Sequence, residues 1–178
     1  MGVIDSFKKI LGLGASSKSI SPTSKMTLAD LYKSKSRRPL DFSQEAPNIN
    51  QYGMISDDVQ MSLLDDILTI ISRNSGCILT DRIISAIDDM AESWNISPRK
   101  VRHALQMRDG TVNGLISFCS PDSDEERKKY LFALVYFYKL TKGISSKEAF
   151  EWVKGTAEEL GFSDSELKSY FEIVEIES

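Results

Sequence analysis

The chain has one histidine, two cysteines, and neither a glycine-rich loop nor a long apolar run. Each shortage excludes a class of function. The single His103 has no Ser/His/Asp or Cys/His spacing around it, so nucleophilic catalysis lacks its partners. Gly12-Leu13-Gly14 is too short to cradle a phosphate and follows no strand pattern. Cys77 and Cys119 lie too far apart for a metal knuckle, and both sit among apolar residues, as in a reduced compartment. The apolar stretch from Leu131 to Tyr138 falls far short of the roughly 20 residues that span a bilayer. No strand alternation and no internal repeat is present. Asp57-Asp58, Asp65-Asp66 and Asp88-Asp89 are adjacent pairs whose members diverge around a helix. They read as helix-surface and N-terminal charges, not as a metal site. No catalytic residue, metal or cofactor is expected.

What is present begins at Met1-Gly2-Val3-Ile4-Asp5-Ser6. It fits the M-G-x-x-x-[ST] pattern for N-myristoylation, with Gly2 as acceptor once Met1 is removed. Val3, Ile4, Phe7, Ile10 and Leu11 share one helical face, flanked by Lys8 and Lys9. A single myristoyl chain binds membranes only marginally, with an association constant of about 10⁴ M⁻¹, and stable attachment needs a second signal. Lys8 and Lys9 supply it on an anionic surface, where each basic residue adds roughly 1 kcal/mol, and Phe7, Ile10 and Leu11 insert beside them. Lysines at positions 8 and 9 also interrupt any signal-peptide core.

Charge is divided unevenly. Residues 1–45 hold eight basic and four acidic residues, a net +4; the remainder holds 14 basic and 22 acidic, a net −8. A basic arm on an acidic body suits a membrane surface or an acidic partner better than nucleic acid.

The pattern predicts three regions: a membrane-binding segment over 1–14, a flexible basic linker over 15–54, and an all-α domain over 55–178. Within the linker, Thr27 can cap a brief helix over Met26 to Lys33, with Leu28, Leu31 and Tyr32 on one face. Lys33 to Arg38 reads as a solvated basic stretch, with a nuclear import signal or an RNA contact as the alternatives. The domain reads as a bundle of about six to seven helices. Ser56, Thr80 and Ser97-Pro98 start the first three, Asp109-Gly110 ends the third, and a short fourth is expected over Thr111 to Phe118. Three capping boxes follow: Ser123-x-x-Glu126, Ser145-x-x-Glu148 and Ser163-x-x-Glu166. Gly143 and Gly161 precede the last two, which sets helices over 124–141, 146–160 and 164–175. The helix containing Leu131, Phe132, Leu134, Val135, Phe137 and Tyr138 is apolar almost all round and is expected at the centre.

Ala86 to Gln106 looks like a helix-turn-helix. A helix ends near Trp94, Asn95-Ile96-Ser97 forms the turn, and the second helix carries Arg99, Lys100, Arg102 and His103 near its start, where a recognition helix contacts bases. Asn95 stands where a glycine often sits, and Asp88, Asp89 and Glu92 place acids beside that face.

Ser6 and Lys8-Lys9-Ile10-Leu11-Gly12-Leu13 resemble the start of vesiculovirus matrix proteins. The layout of N-terminal helix, Ser/Thr-rich linker, basic patch and helical domain is similar to that of respirovirus C accessory proteins. The matrix body contains a β-sheet and its family a proline-rich budding motif, neither of which is read here. The resemblance implies a small non-enzymatic protein of a negative-strand RNA virus. The expected role is a peripheral membrane protein of matrix or accessory type, on the cytoplasmic face of membranes, in the cytoplasm or in the virion. Its expected partners are an anionic membrane surface, an unidentified protein and a second copy of itself, with nucleic acid not expected. A helix-turn-helix nucleic-acid regulator and a cellular myristoylated adaptor are the alternatives.

Overall fold

The computed structural model describes residues 26–38, 56–74, 79–141 and 146–176. Seven α-helices and no strand occur among them: α1 Leu28–Lys35, α2 Asp57–Arg73, α3 Asp81–Ser93, α4 Pro98–Asp109, α5 Asp124–Leu140, α6 Lys147–Glu159 and α7 Asp164–Ile173. The fold is an all-α bundle, as the capping and periodicity require. The candidate residues Gly2, Phe7, Lys8, Lys9, Ile10 and Leu11 lie outside the described residues, as do Cys77, Gly143 and Ser145.

Side-chain caps start every helix. Ser56, Thr80, Ser97 and Ser123 each accept the backbone N–H three residues on, satisfying a donor that the first turn leaves unpaired. At Ser163 the box is complete: Glu166 accepts the Ser163 N–H at 2.7 Å, which holds its carboxyl below the ordinary range. At Ser123 only the hydroxyl arm forms. The cap of α6 is Ser146, which accepts from Ala149 N at 3.3 Å. Gly110, with φ +72°, closes α4 in the left-handed region where a side chain would be strained.

The centre of the bundle is α2, which packs against α4, α5 and α6. Its burial includes polar Gln60, Ser62, Asp66 and Thr69 besides Leu63, Ile67, Ile70 and Ile71. α5 lies alongside and also meets α6 and α7. At the far end of α2, buried Asn74 donates to Tyr138 O at 3.2 Å and Thr141 Oγ1 at 2.7 Å, and accepts from Ser146 N. One amide thereby joins the ends of α2 and α5 to the start of α6.

Three expectations are corrected. Residues 111–122 form no helix; they cross as irregular chain from α4 to α5, tied by Cys119 N–H to Ser62 Oγ at 3.0 Å. The apolar spacing there has no core to face, since Leu115 is 95% exposed. Gly114 passes so close to Met107 that an added Cβ would meet its methyl carbon at 2.5 Å.

Second, the brief helix expected within the linker forms as α1 from its Thr27 cap, but it is docked on the bundle, with Leu28, Ala29 and Tyr32 fully buried against α4 and α3. Asp109 at the end of α4 accepts the Leu28 and Ala29 N–H groups at 3.0 and 3.1 Å. Burial still raises its carboxyl above the ordinary range. The basic stretch at the end of α1 and just beyond it is exposed at Lys33, Lys35 and Arg37 but is held against α3 rather than left as free linker. Lys35 pairs with Asp81 at 2.6 Å, Arg37 with Asp89 at 2.6 Å and Glu92 at 3.1 Å, and Arg38 donates to Ile96 O at 2.7 Å. Acids on α3 thus neutralise a basic strap of the same chain.

Third, the aspartate pairs are not all surface charges. Each pair does diverge, because adjacent helical residues point about 100° apart. Asp89 is exposed and paired with Arg37, while Asp88 is 1% exposed and accepts from Tyr32 Oη, Ser36 Oγ and Arg37 N. Asp65 pairs with Arg108 at 2.6 Å, while Asp66 is buried and accepts from Tyr130 Oη and from Trp152 Nε1 at 3.1 Å. Hydroxyl and indole donors from other helices make these positions tolerable for a carboxyl group.

Candidate functional site

An open groove of about 610 Å³ lies between α3, α5 and α7. Its floor is carbon: Ala86, Met90 and Trp94 from α3 and its end, and Ala133 and Phe137 from α5, all buried. Its walls are Phe132, 46% exposed, and Ile173 of α7, 65% exposed. Tyr136 and Tyr170 line it as well. Ser93 Oγ is turned back into its own helix and donates to Met90 O at 2.8 Å. Charge is confined to Asp89, Glu125, Lys128 and Lys129, and Asp89 already holds Arg37.

The sequence builds this groove by giving α5 more apolar surface than its neighbours can cover. Leu131, Leu134 and Val135 of α5 are buried in the core, whereas Phe132 is exposed and Tyr136 half-buried. α7 reaches only part of this surface, anchored where Lys139 Nζ donates to the Phe171 and Val174 carbonyls, the latter at 2.6 Å. The groove was not anticipated from sequence. Its signal was there in the nearly all-round apolar pattern of α5, which reads equally as a buried centre.

Of the helix-turn-helix candidates, Arg99, Arg102 and His103 stand at i, i+3 and i+4 on one face of α4, and Lys100 is turned away from them. α3 ends at Ser93, Asn95 turns the chain at φ +54°, and α4 begins at Pro98, so the corner forms as the spacing implies. Asparagine tolerates that left-handed turn without glycine. Lys100, however, points at α2, where it pairs with Asp57 and donates to Gln60 Oε1 at 2.6 Å. Arg99 and His103 are exposed and Arg102 is half-buried. His103 lies instead on a second cavity of about 540 Å³ beside residues 114–119.

Among the described residues, buried Asp66 is a strongly perturbed carboxyl. Burial pushes it up to about 7, with Asp65 and Glu159 adding to the rise and Tyr130 and Trp152 opposing it. It lines neither cavity, so it works as a tie among α2, α5 and α6. Among the described residues no three His, Cys, Asp or Glu side chains converge as metal ligands, and no helix is long and apolar enough to cross a membrane. In comparisons with known proteins, no family model, no curated protein and no solved structure matches this chain.

Proposed function

We propose that this is a non-enzymatic peripheral membrane protein of matrix or accessory type, viral in origin. N-myristoyl on Gly2 and the basic helix around Lys8 and Lys9 hold it on the inner leaflet, and the helical domain presents protein-binding surface beneath. The observation that carries the reading is the first eleven residues, where acyl pattern, helical apolar face and flanking lysines coincide. Two structural features support it. The domain's buried acids are spent on joining helices, as Asp66 and Asp88 show. The groove between α3, α5 and α7 is apolar surface of the kind that docks another chain or a lipid.

Intact mass of the full chain made in eukaryotic cells tests the acylation directly, and cell fractionation tests its consequence. Gly2→Ala moves the protein from membrane to soluble fractions. Lys8→Glu with Lys9→Glu releases it from anionic vesicles even when acylated, because one acyl chain is marginal by itself. An unmodified mass, together with a Gly2→Ala variant that pellets like wild type, refutes the reading.

A further inference from the structure

We propose that the groove between α3, α5 and α7 is the resting site of the acyl chain carried by Gly2 of the same molecule, so that membrane attachment is switched by competition between groove and bilayer. This rests on the acylation reading above and assigns its ligand a second place to bind.

The chemistry of the lining selects the ligand. The floor is methylene, methyl and ring carbon from Met90, Ala133 and Phe137, and no charged group is buried within it. Asp89, Glu125, Lys128 and Lys129 line it as exposed groups, so a polar ligand pairs only with those and is stripped of water against the buried floor, which offers it no partner. A saturated chain loses nothing on entry and covers Phe132 and Ile173, which stand 46% and 65% exposed on the walls. The volume, about 610 Å³, lies within the ~300–1,000 Å³ usual for sites that engulf small ligands.

The tether allows it. Twenty-three residues separate Gly2 from Met26, where the described chain begins. At about 3.3 Å per residue they reach roughly 75 Å, several times the ~13 Å radius of gyration of a domain this size. A tethered ligand of this kind meets its site at an effective concentration around millimolar. Marginal membrane binding, about 10⁴ M⁻¹ for one chain, is then the property that makes the competition close. The acyl chain cannot occupy both places. Anionic lipid, through Lys8 and Lys9, tips the balance toward the bilayer, and neutral lipid does not.

The experiment compares the full chain co-expressed with an N-myristoyltransferase against full-length Gly2→Ala. Amide hydrogen exchange is followed in α3, α5 and α7. The acylated chain is expected to exchange at least about threefold more slowly around Phe132 and Ile173, with protection lost on adding phosphatidylserine vesicles. The double variant Phe132→Asp/Ile173→Asp, at two partly exposed positions, should when acylated bind neutral phosphatidylcholine vesicles about threefold more tightly than acylated wild type. The exchange comparison needs no groove variant, so it decides even where the double variant fails to fold. An acyl adduct with exchange identical to Gly2→Ala overturns this proposal and leaves the anchor intact. Absence of any adduct overturns both. Protection that appears only as the protein dimerises assigns the chain to a second copy and overturns the same-molecule site.

Discussion

Around α1 and α3 the helices are tied by carboxylates. Asp88 gathers Tyr32, Ser36 and Arg37; Asp109 caps the first turn of α1; Asp81, Asp89 and Glu92 hold Lys35 and Arg37. Among α5, α6 and α7 the ties are rings. Tyr138 meets Phe150 and Phe171 edge-on at 6.2 and 5.5 Å, and Phe162 meets Tyr170 at 5.8 Å. The two modes fail differently. Losing one ring contact removes area and a modest aromatic preference, and neighbours relax toward the gap. Losing one partner of a buried carboxylate leaves the other desolvated and unpaired, which costs more than the bond contributed. α1 is therefore held by few residues, each of which matters.

The largest expected effect comes from removing α1 altogether. A chain of residues 56–178 exposes the surface that Leu28, Ala29 and Tyr32 cover and strips Asp88 and Asp109 of their donors. It should be less stable than residues 26–178 by about 5 kcal/mol or more, read from urea midpoints. Equal midpoints would mean that the polar end contributes nothing and that the domain does begin near residue 55.

Next is the pH response at the junction of the two regions. Asp66 in the fold titrates at about 7, whereas unfolded it would titrate at its ordinary value of 3.8. From about pH 4 to pH 7 the unfolded chain has released this proton and the folded chain retains it. Stability from this group therefore falls as pH rises through that window, by on the order of 4 kcal/mol at most. Asp66→Asn should flatten the slope. A stability curve that rises from pH 4 to 7 in wild type and is unchanged in the variant would contradict the assignment.

A smaller effect separates charge from shape at the polar end. Asp88→Ala leaves three donors without an acceptor and should cost about 2–3 kcal/mol, whereas Asp88→Asn keeps one acceptor and should cost roughly half as much. Equal losses would indicate that the site needs the negative charge itself.

The smallest effect belongs to the rings. Phe171→Leu keeps most of the buried area and loses the edge-on contact to Tyr138 and the tilted one to Phe150, so about 1 kcal/mol is expected. That loss should be the same in low and high salt. The Lys35–Asp81 pair, largely exposed, should contribute less than about 1 kcal/mol and fade as salt rises. A salt-sensitive Phe171→Leu would blur the distinction.

Much of the fold was legible because its signals are local. A hydroxyl three residues before a helical N–H, a proline at the first helical position and a glycine at φ +72° act within one turn of chain, so α2, α3, α4, α5 and α7 start where Ser56, Thr80, Ser97, Ser123 and Ser163 place them, while α6 starts from Ser146, one residue past the expected Ser145. Failure came where a residue answers to something distant. The spacing in residues 111–122 imitates a helix but has no core to face. Asp66 and Asp88 look like their exposed neighbours Asp65 and Asp89 until Tyr130, Trp152 and Tyr32 arrive from other helices. The basic strap at the end of α1 and just beyond it reads as free linker because its acidic partners lie some fifty residues further on.

The sequence by itself determined the helical class, the caps of the described helices other than α6 and the apolar stripes, because hydrogen bonding and amphipathic period are properties of neighbouring residues. It also supplied the acylation pattern at Gly2, a chemical pattern independent of the fold. Only the tertiary structure decided which aspartates are buried, that α1 belongs to the bundle and that α5 leaves Phe132 uncovered above a groove. Those outcomes depend on which surfaces meet and how much area each partner can cover, and no single helix carries that information.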